Sequence, residues 1–118
     1  RLSELKGKVI LLDFHSFSMK GSTERIMELR NLYNKYHAQG LEIYQVGVDG
    51  NAHFWKTKVA ALPWVSVYDE KGQASGTYNV QSVPTYFLLD RNGTPVKRDI
   101  QIKDINAEIL ALLKGGAQ

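Results

Sequence analysis

The chain has 118 residues, of which 43% are hydrophobic and 23% charged, so it is long enough to bury a core of its own. It contains no cysteine, which excludes disulfides, thiolate metal sites and every cysteine-based mechanism within this chain. The net charge of +3 is mild and the basic residues are scattered, which argues against binding of nucleic acid.

Length also limits the organisation of the chain. We expect one domain over residues 1–118, because the chain is too short for two ordinary cores. We also expect a monomer. No segment approaches the roughly 20 apolar residues of a membrane span. The chain begins at Arg1, without a Met and almost directly before a strand of the buried type. We interpret it as a piece excised from a longer precursor.

Strand and helix patterns alternate through the first half. Residues 8–14 ("KVILLDF") and 41–49 ("LEIYQVGVD") are apolar runs of strand length, typical of strands covered on both faces. Between them, residues 19–39 change to a helical period that ends before Gly40. A second helix, over residues 51–62, has Asn51 as its predicted cap.

The second half begins with a short strand candidate, residues 64–69, and a loop over residues 75–83. Two further strand patterns, "PTYFLLD" and "TPVKRD", flank "RNG", which predicts a β-hairpin because Asn-Gly accepts the positive φ of such turns. A last helix follows a predicted cap at Asp104. The first half requires right-handed crossovers and parallel strands, so we expect a mixed α/β sheet flanked by helices.

Four stretches of the chain carry a family resemblance: "LKGKVILLDF", "LEIYQVGVD" with "HFWKT" and "LPW" after it, "YNVQSVPTYFLLDRNG", and "ILALLKGG". With the element order, they resemble the thioredoxin fold, and more closely the bacterial envelope thiol-disulfide oxidoreductases of the TlpA/ResA type, grouped with the AhpC/TSA families. The resemblance covers nearly the whole chain. It implies a thioredoxin-like fold in which the Val83-Pro84 peptide is cis.

The resemblance also locates a reactive turn, which in the family reads Asp/Asn-Phe-x-x-x-Trp-Cys-x-x-Cys. Alignment from Asp13 without a gap assigns the tryptophan, the first cysteine, the two intervening residues and the second cysteine to Ser18, Met19, Lys20, Gly21 and Ser22. Exchange needs a thiolate and a resolving thiol, which a thioether and a hydroxyl cannot replace. The motif is therefore predicted to be a degenerate CxxC without catalytic residues.

Two other site predictions follow from the resemblance. Asp13 matches the buried acid that assists proton transfer beneath the cysteines of thioredoxins, and here it would be a relic. A buried carboxylate costs free energy unless it is hydrogen-bonded, so the alternative is a polar pocket or partly exposed oxygens. Val83, Pro84 and Thr85 would form, with the turn, a groove that binds extended polypeptide through backbone hydrogen bonds.

Other chemistries stay open from the residues alone. Ser18 or Ser22 would be a nucleophile only with a base in reach, such as His15, and an oxyanion site; serines at helix starts are usually caps. Met19 is either an apolar filler or a sensor through sulfoxide formation. Met19, His15 and His53 would suit a soft metal, but they lack ligand spacing, and the default is a surface or partly buried histidine. We predict no metal and no cofactor.

We therefore predict a redox-inactive thioredoxin-like domain of thiol-disulfide oxidoreductase ancestry that binds a peptide or protein at the Pro84 groove. The alternative is that the chain is part of a thiol-disulfide oxidoreductase or antioxidant protein whose cysteines lie outside it. Whether the chain is an enzyme is left open by these patterns. The resemblance implies a location in the bacterial cell envelope or periplasm.

Overall fold

The structure is a computed structural model that describes residues 5, 7–69, 76, 83 and 85–115. Pro84, with its predicted cis peptide, and nearly all of the predicted loop over residues 75–83 lie outside the described residues. No helix in the described part of the chain is long and apolar enough to cross a bilayer.

The regular elements within residues 7–69 and 85–115 appear in the predicted order. They are β1 (Val9–His15), α1 (Ser22–Tyr36), β2 (Leu41–Gly47), α2 (Ala52–Val59), β3 (Val65–Tyr68), β4 (Thr85–Leu89), β5 (Pro95–Arg98) and α3 (Ile105–Gly115). Short 3-10 turns at His37–Gln39 and Asp99–Gln101 extend α1 and precede α3. The predicted start of the first helix, at residue 19, is wrong, because Gly21 just before α1 has a left-handed backbone with φ of 84° that a helix does not contain.

The strands form one mixed sheet in the order β3-β2-β1-β4-β5, which confirms the predicted mixed α/β architecture. β1 pairs in parallel with β2, and β2 with β3, whereas β4 runs antiparallel to both β1 and β5. The hairpin between β4 and β5 turns at Asn92-Gly93, where Gly93 has φ of 84°, and this confirms the Asn-Gly prediction.

The two predicted caps are also present. The Oδ1 atom of Asn51 accepts a hydrogen bond from the Phe54 N–H at 3.0 Å, at the start of α2. The Oδ1 atom of Asp104 accepts one from the Ala107 N–H at 3.2 Å, before α3. Each cap satisfies an N–H group that has no acceptor within its own helix.

The central strand β1 separates two apolar layers, and all seven of its residues are buried. Val9 and Leu11 pack in the layer that contains Leu29 and Leu32 of α1. The alternate β1 residues Ile10, Leu12 and Phe14 pack in the opposite layer. Its other buried members come from β2 and β4, namely Val46, Phe87 and Leu89. Because side chains alternate along a strand, Asp13 and His15 follow Val9 and Leu11 on the face that is covered by α1.

Candidate functional site

The turn between β1 and α1 is held by the carboxylate of Asp49, which follows β2 and is only 4% exposed. Its Oδ2 atom accepts hydrogen bonds from the Phe17 N–H at 2.8 Å, the Ser18 N–H at 3.3 Å and the Ser16 hydroxyl at 3.1 Å. β1 and β2 are parallel, so their carboxyl ends meet at one edge of the sheet and bring Asp49 beside the turn.

Neither serine of the turn caps α1 in this structure. Gly21 occupies the N-cap position, and no side chain bonds to the N–H groups there. The Ser22 Oγ atom lies on the face of α1 that covers β1, 2.8 Å from Nε2 of His15. Ser18 Oγ lies 2.9 Å from Ser16 Oγ. The expectation that these serines serve as caps is therefore wrong, because both hydroxyls have side-chain partners instead.

The predicted surface or partly buried histidine is also wrong for His15, which has no exposed area at all. It is the last residue of β1, and the ring of Phe17 packs edge-on against it at 4.6 Å between centroids. Burial lowers the pKa of His15 below its ordinary value of 6.5, because a buried imidazolium loses its hydration, while the negative charges of Asp13 and Asp49 oppose this shift.

Asp13 is likewise fully buried, and its carboxylate is bonded on both oxygens. Arg25 Nη2 donates to Oδ1 at 2.9 Å, and Gln45 Nε2 donates to Oδ2 at 3.1 Å. Gln45 in turn accepts a hydrogen bond from Trp64 Nε1 at 3.0 Å. His15 Nδ1 is 4.0 Å from Asp13 Oδ2, beyond hydrogen-bond distance but close enough for attraction. These bonds offset the cost of burying the carboxylate.

Arg25 is the cation of this network, and its side chain is 15% exposed. Burial by itself would lower the pKa of Arg25, but the adjacent Asp13 carboxylate favours the charged form, and the net effect is a raised pKa. Its guanidinium also lies 4.7 Å from the centre of the Tyr86 ring, a cation–π contact. The network thus joins α1, β1, β2 and β4 beneath the turn.

The structure places both described residues of the predicted Pro84 groove near this turn. Thr85, at the start of β4, is 4% exposed and pairs opposite Phe14. Val83 packs against the apolar layer that contains Phe14. Since Phe14 is two residues before the turn, the start of β4 and the turn lie at the same end of the sheet. Pro84 itself is outside the described residues.

The remaining predicted site residues are more ordinary. Met19 is half-buried, and Ser18, Lys20 and Gly21 are exposed. His53 lies exposed on α2, whereas His15 is buried at the end of β1. Within the described ranges, no three histidine, aspartate or glutamate side chains converge as metal ligands.

Sequence reasoning missed Arg25, Gln45 and Asp49, whereas it named His15 as a possible base for Ser18 or Ser22, and the structure pairs it with Ser22. A signal for the first of these was present: Ser22 and Arg25 continue the spacing of the buried α1 residues Leu29, Leu32 and Tyr36 towards the amino terminus. Gln45 is the direct neighbour of Asp13 in the parallel pairing, but only the register of two strands reveals this.

Comparison with known proteins gives matches along most of the chain. A sequence model of the AhpC/TSA family matches residues 1–97. The thiol-disulfide oxidoreductase ResA of Bacillus cereus is 33% identical over 107 residues, which is 84% of this chain and 58% of that protein. ResA of Geobacillus kaustophilus is 34% identical over 112 residues, with 86% and 64% covered. The chain therefore spans less than two thirds of the length of these relatives.

A solved structure gives the same result for the fold. The solution structure of a thioredoxin-like protein from Bacteroides vulgatus superposes with a TM-score of 0.88 at 45% identity, covering 97% of this chain and 77% of that one. The element order and the mixed sheet agree with this match. The chain therefore belongs to the AhpC/TSA family and has the thioredoxin-like fold of thiol-disulfide oxidoreductases, although its sequence contains no cysteine.

Proposed function

We propose that this chain is a redox-inactive thioredoxin-like domain that binds extended polypeptide. The proposed site, called the groove below, lies between residues 18–22 and residues 83–85. The observation that carries the proposal is the ordered turn: Asp49 accepts three hydrogen bonds from it, although Met19 and Ser22 stand where sulfur nucleophiles are expected. These bonds fix the backbone of the turn, which in this proposal forms one side of the groove.

The chemistry of the two residues supports the loss of exchange activity. The sulfur of Met19 carries a methyl group and cannot ionise, and a serine hydroxyl is far too weak an acid to replace a resolving thiol. Binding by addition of a strand, in contrast, uses backbone N–H and C=O groups and requires no thiol. In this proposal, the buried Thr85 at the start of β4 forms the other side of the groove.

The test is a titration of the isotope-labelled protein with reduced, carboxymethylated α-lactalbumin, a polypeptide that stays unfolded, followed by amide resonances. We expect shifts at residues 16–22, Val83 and Thr85, and none at the hairpin turn around Gly93, which lies at the opposite end of β4. A protein whose resonances at the groove ignore a large excess of the polypeptide would contradict the proposal.

A pair of variants separates specific from nonspecific contact. Ser18→Arg places a bulky side chain at an exposed position of the groove, whereas Asn92→Arg places the same side chain at the exposed distal hairpin. We expect only Ser18→Arg to weaken binding, by about tenfold. Equal effects of the two variants would indicate nonspecific association.

The second candidate is that the intact protein is a thiol-disulfide oxidoreductase with cysteines outside this chain. It is favoured by the ResA relatives, of which the chain spans only 58% and 64%. An insulin-reduction assay with dithiothreitol, on the chain and on Met19→Cys/Ser22→Cys, tests whether the fold around the turn still supports thiol-disulfide exchange. We expect background activity from the chain and a gain in the double variant. Activity of the unaltered chain would contradict the proposed loss of redox function.

We further propose an extracytoplasmic location and a monomeric state for the one domain over residues 1–118. The location rests on the similarity to ResA. The monomeric state rests on the small number of exposed large apolar side chains in the described residues, namely Met27 and Val96. Light scattering during gel filtration tests the state, and fractionation of the natural host tests the location.

A further inference from the structure

The bond between Ser22 and His15 has a chemistry that polypeptide binding does not use. A hydroxyl oxygen 2.8 Å from an imidazole nitrogen is the arrangement of a nucleophile and its general base. We propose that Ser22 is an acyl-transfer nucleophile, activated by His15, for esters whose apolar acyl chain ends in an anionic group. This activity goes beyond the proposed binding of polypeptide, although Ser22 also borders the groove.

The surroundings of His15 suit a base. Its Nδ1 atom is buried and has no hydrogen-bond partner among the described residues, with the Asp13 carboxylate at 4.0 Å on that side. The nearby negative charge favours the tautomer with its proton on Nδ1, which leaves the lone pair of Nε2 to accept from Ser22. Burial lowers the pKa of His15 below 6.5. The charges of Asp13 and Asp49 oppose this shift and the charge of Arg25 adds to it, so the ring is neutral at neutral pH.

The start of α1 supplies donors for an oxyanion. Ser22 is the first residue of the helix, and Gly21 before it provides no side-chain cap. The Ser22 N–H donates to the Met19 carbonyl at 3.2 Å, but the following N–H groups, at Thr23 and Glu24, have no acceptor within the helix. A donor from the residue after the nucleophile, at a helix start, is a recurrent way to stabilise a tetrahedral oxyanion.

A surface cavity of about 350 Å³ opens beside Ser22 and indicates the class of acyl chain. Its apolar wall includes Phe17, Ile26 and Met27, and Met27 is 60% exposed. Its cationic residues are Arg30, whose Nη2 donates to the Ala61 carbonyl at 3.4 Å, and Lys58, whose Nζ lies 5.4 Å from the centre of the Phe54 ring. Arg30 is eight residues after Ser22 on α1, which corresponds to about 12 Å along the helix. An apolar chain of that length with a terminal carboxylate matches this lining.

The reaction balances without an external oxidant or reductant. Ser22 Oγ attacks the ester carbonyl while its proton passes to Nε2 of His15, and a C–O bond forms. The bond to the leaving alcohol then breaks, and that oxygen takes the proton from His15. A water molecule repeats the two steps on the acyl-serine and releases the acid.

The first experiment is labelling with an alkyl fluorophosphonate, followed by mass spectrometry. Attack by Ser22 forms a P–O bond and expels fluoride, so we expect one label per chain, on Ser22. Ser22→Ala should remove the label entirely. Thr94→Ala, which removes an exposed hydroxyl at the distal hairpin, outside the groove and the cavity beside Ser22, should keep it. Absence of label at excess probe on the folded chain, or equal labelling of Ser22→Ala, would overturn the proposal.

The role of His15 has its own test. His15→Gln should slow labelling by about 100-fold or more, the usual contribution of a general base. If that variant does not fold, the pH profile of the unaltered chain decides. Labelling should fall about tenfold per pH unit below the lowered pKa of His15 and level off above it. A labelling rate that does not depend on pH between 4 and 8 would contradict a histidine base. That interval brackets the ordinary histidine pKa of about 6.5.

The acyl-chain specificity is tested with two esters of equal chain length, p-nitrophenyl decanoate and mono-p-nitrophenyl sebacate. We expect faster release of nitrophenol from the sebacate, and loss of that preference in Arg30→Gln/Lys58→Gln. Equal rates for both esters in the unaltered chain would contradict the anionic end of the proposed substrate.

Discussion

The two halves of helix α1 cover the same strand with opposite chemistry. The second half packs apolar side chains, among them Leu29 and Leu32, onto Val9 and Leu11 of β1. The first half uses the same helix face, but there Ser22 and Arg25 meet His15 and Asp13. The spacing of the inward positions does not change between the two halves, whereas their residue types do.

This difference shows that inward-facing positions of a helix can carry the polar residues of a functional site without a change of fold. Alternation in β1 and the three- and four-residue spacing of α1 determine which positions face each other. Apolar pairs at those positions stabilise the fold directly, while polar pairs must first recover the cost of losing water. The chain places its polar pairs at the end that adjoins the turn and Thr85.

The largest effect is expected in the apolar half. Leu29→Ala should lower the free energy of unfolding by about 3–4 kcal/mol, because Leu29 is fully buried and its removal leaves a cavity. Urea denaturation measures this, and Met27→Ala, at 60% exposure on the same helix, is the matched control with a change below about 0.5 kcal/mol. Similar changes in the free energy of unfolding for Leu29→Ala and Met27→Ala would contradict the distinction between the buried and exposed faces of α1.

The next effect is expected in the polar half. Arg25→Leu should cost about 3 kcal/mol, because it leaves the fully buried Asp13 carboxylate without its cation. The double variant Asp13→Leu/Arg25→Leu should recover most of this loss, since it removes the buried charge together with its partner. A double variant that is less stable than the single one would show that the remaining bond from Gln45 to Asp13 outweighs the cost of burying the carboxylate.

A smaller effect should appear as a dependence on pH. The folded pKa of His15 is lowered, so between that value and 6.5 the unfolded chain binds a proton that the folded chain does not. Stability therefore falls on acidification below 6.5, by at most about 1.4 kcal/mol per pH unit, and this contribution is constant above that value. Denaturation of the unaltered chain and of His15→Gln across this range should give a shallower slope for the variant. Equal slopes would assign the dependence to other groups.

The smallest effect is expected from Ser22→Ala, about 0.5–1 kcal/mol, because water can replace the hydroxyl at this half-buried position. Ser18→Ala, which removes an exposed hydroxyl of the same turn, should change stability still less. If Ser22→Ala costs as much as Arg25→Leu, the bond to His15 is a structural element of the core instead of a site that water can reach.

Local signals predicted most of the fold. The caps at Asn51 and Asp104 and the turn at Gly93 depend on residues within four positions of each other, and all three are present. The buried strands could be recognised because a continuous apolar run reports burial on both faces. The start of α1 was misplaced because Met19 and Lys20 suit a helix, while the left-handed Gly21 prevents it from beginning there.

The contacts of the site could not be predicted in the same way. His15 and Ser22 are 7 residues apart, Asp13 and Arg25 are 12 apart, and Phe17 and Asp49 are 32 apart. Each pair comes together only because α1 packs on β1 or because β2 pairs beside it. A single sequence does not give these positions. The alternation of side chains in β1 nevertheless predicts that Asp13 and His15 lie on the face covered by α1. Strand periodicity should therefore be applied to the polar residues of a strand as well as to the apolar ones.

The three bonds to Asp49 also have a consequence for the order of folding. Their acceptor lies beyond α1 and β2, so the turn reaches its native geometry only after the β1-α1-β2 crossover has closed. Helix α1 can form early from local contacts, but the turn before it cannot. During synthesis, the site would thus be completed later than the two elements that flank it, and a nascent chain that ends before Asp49 would present the helix without the site.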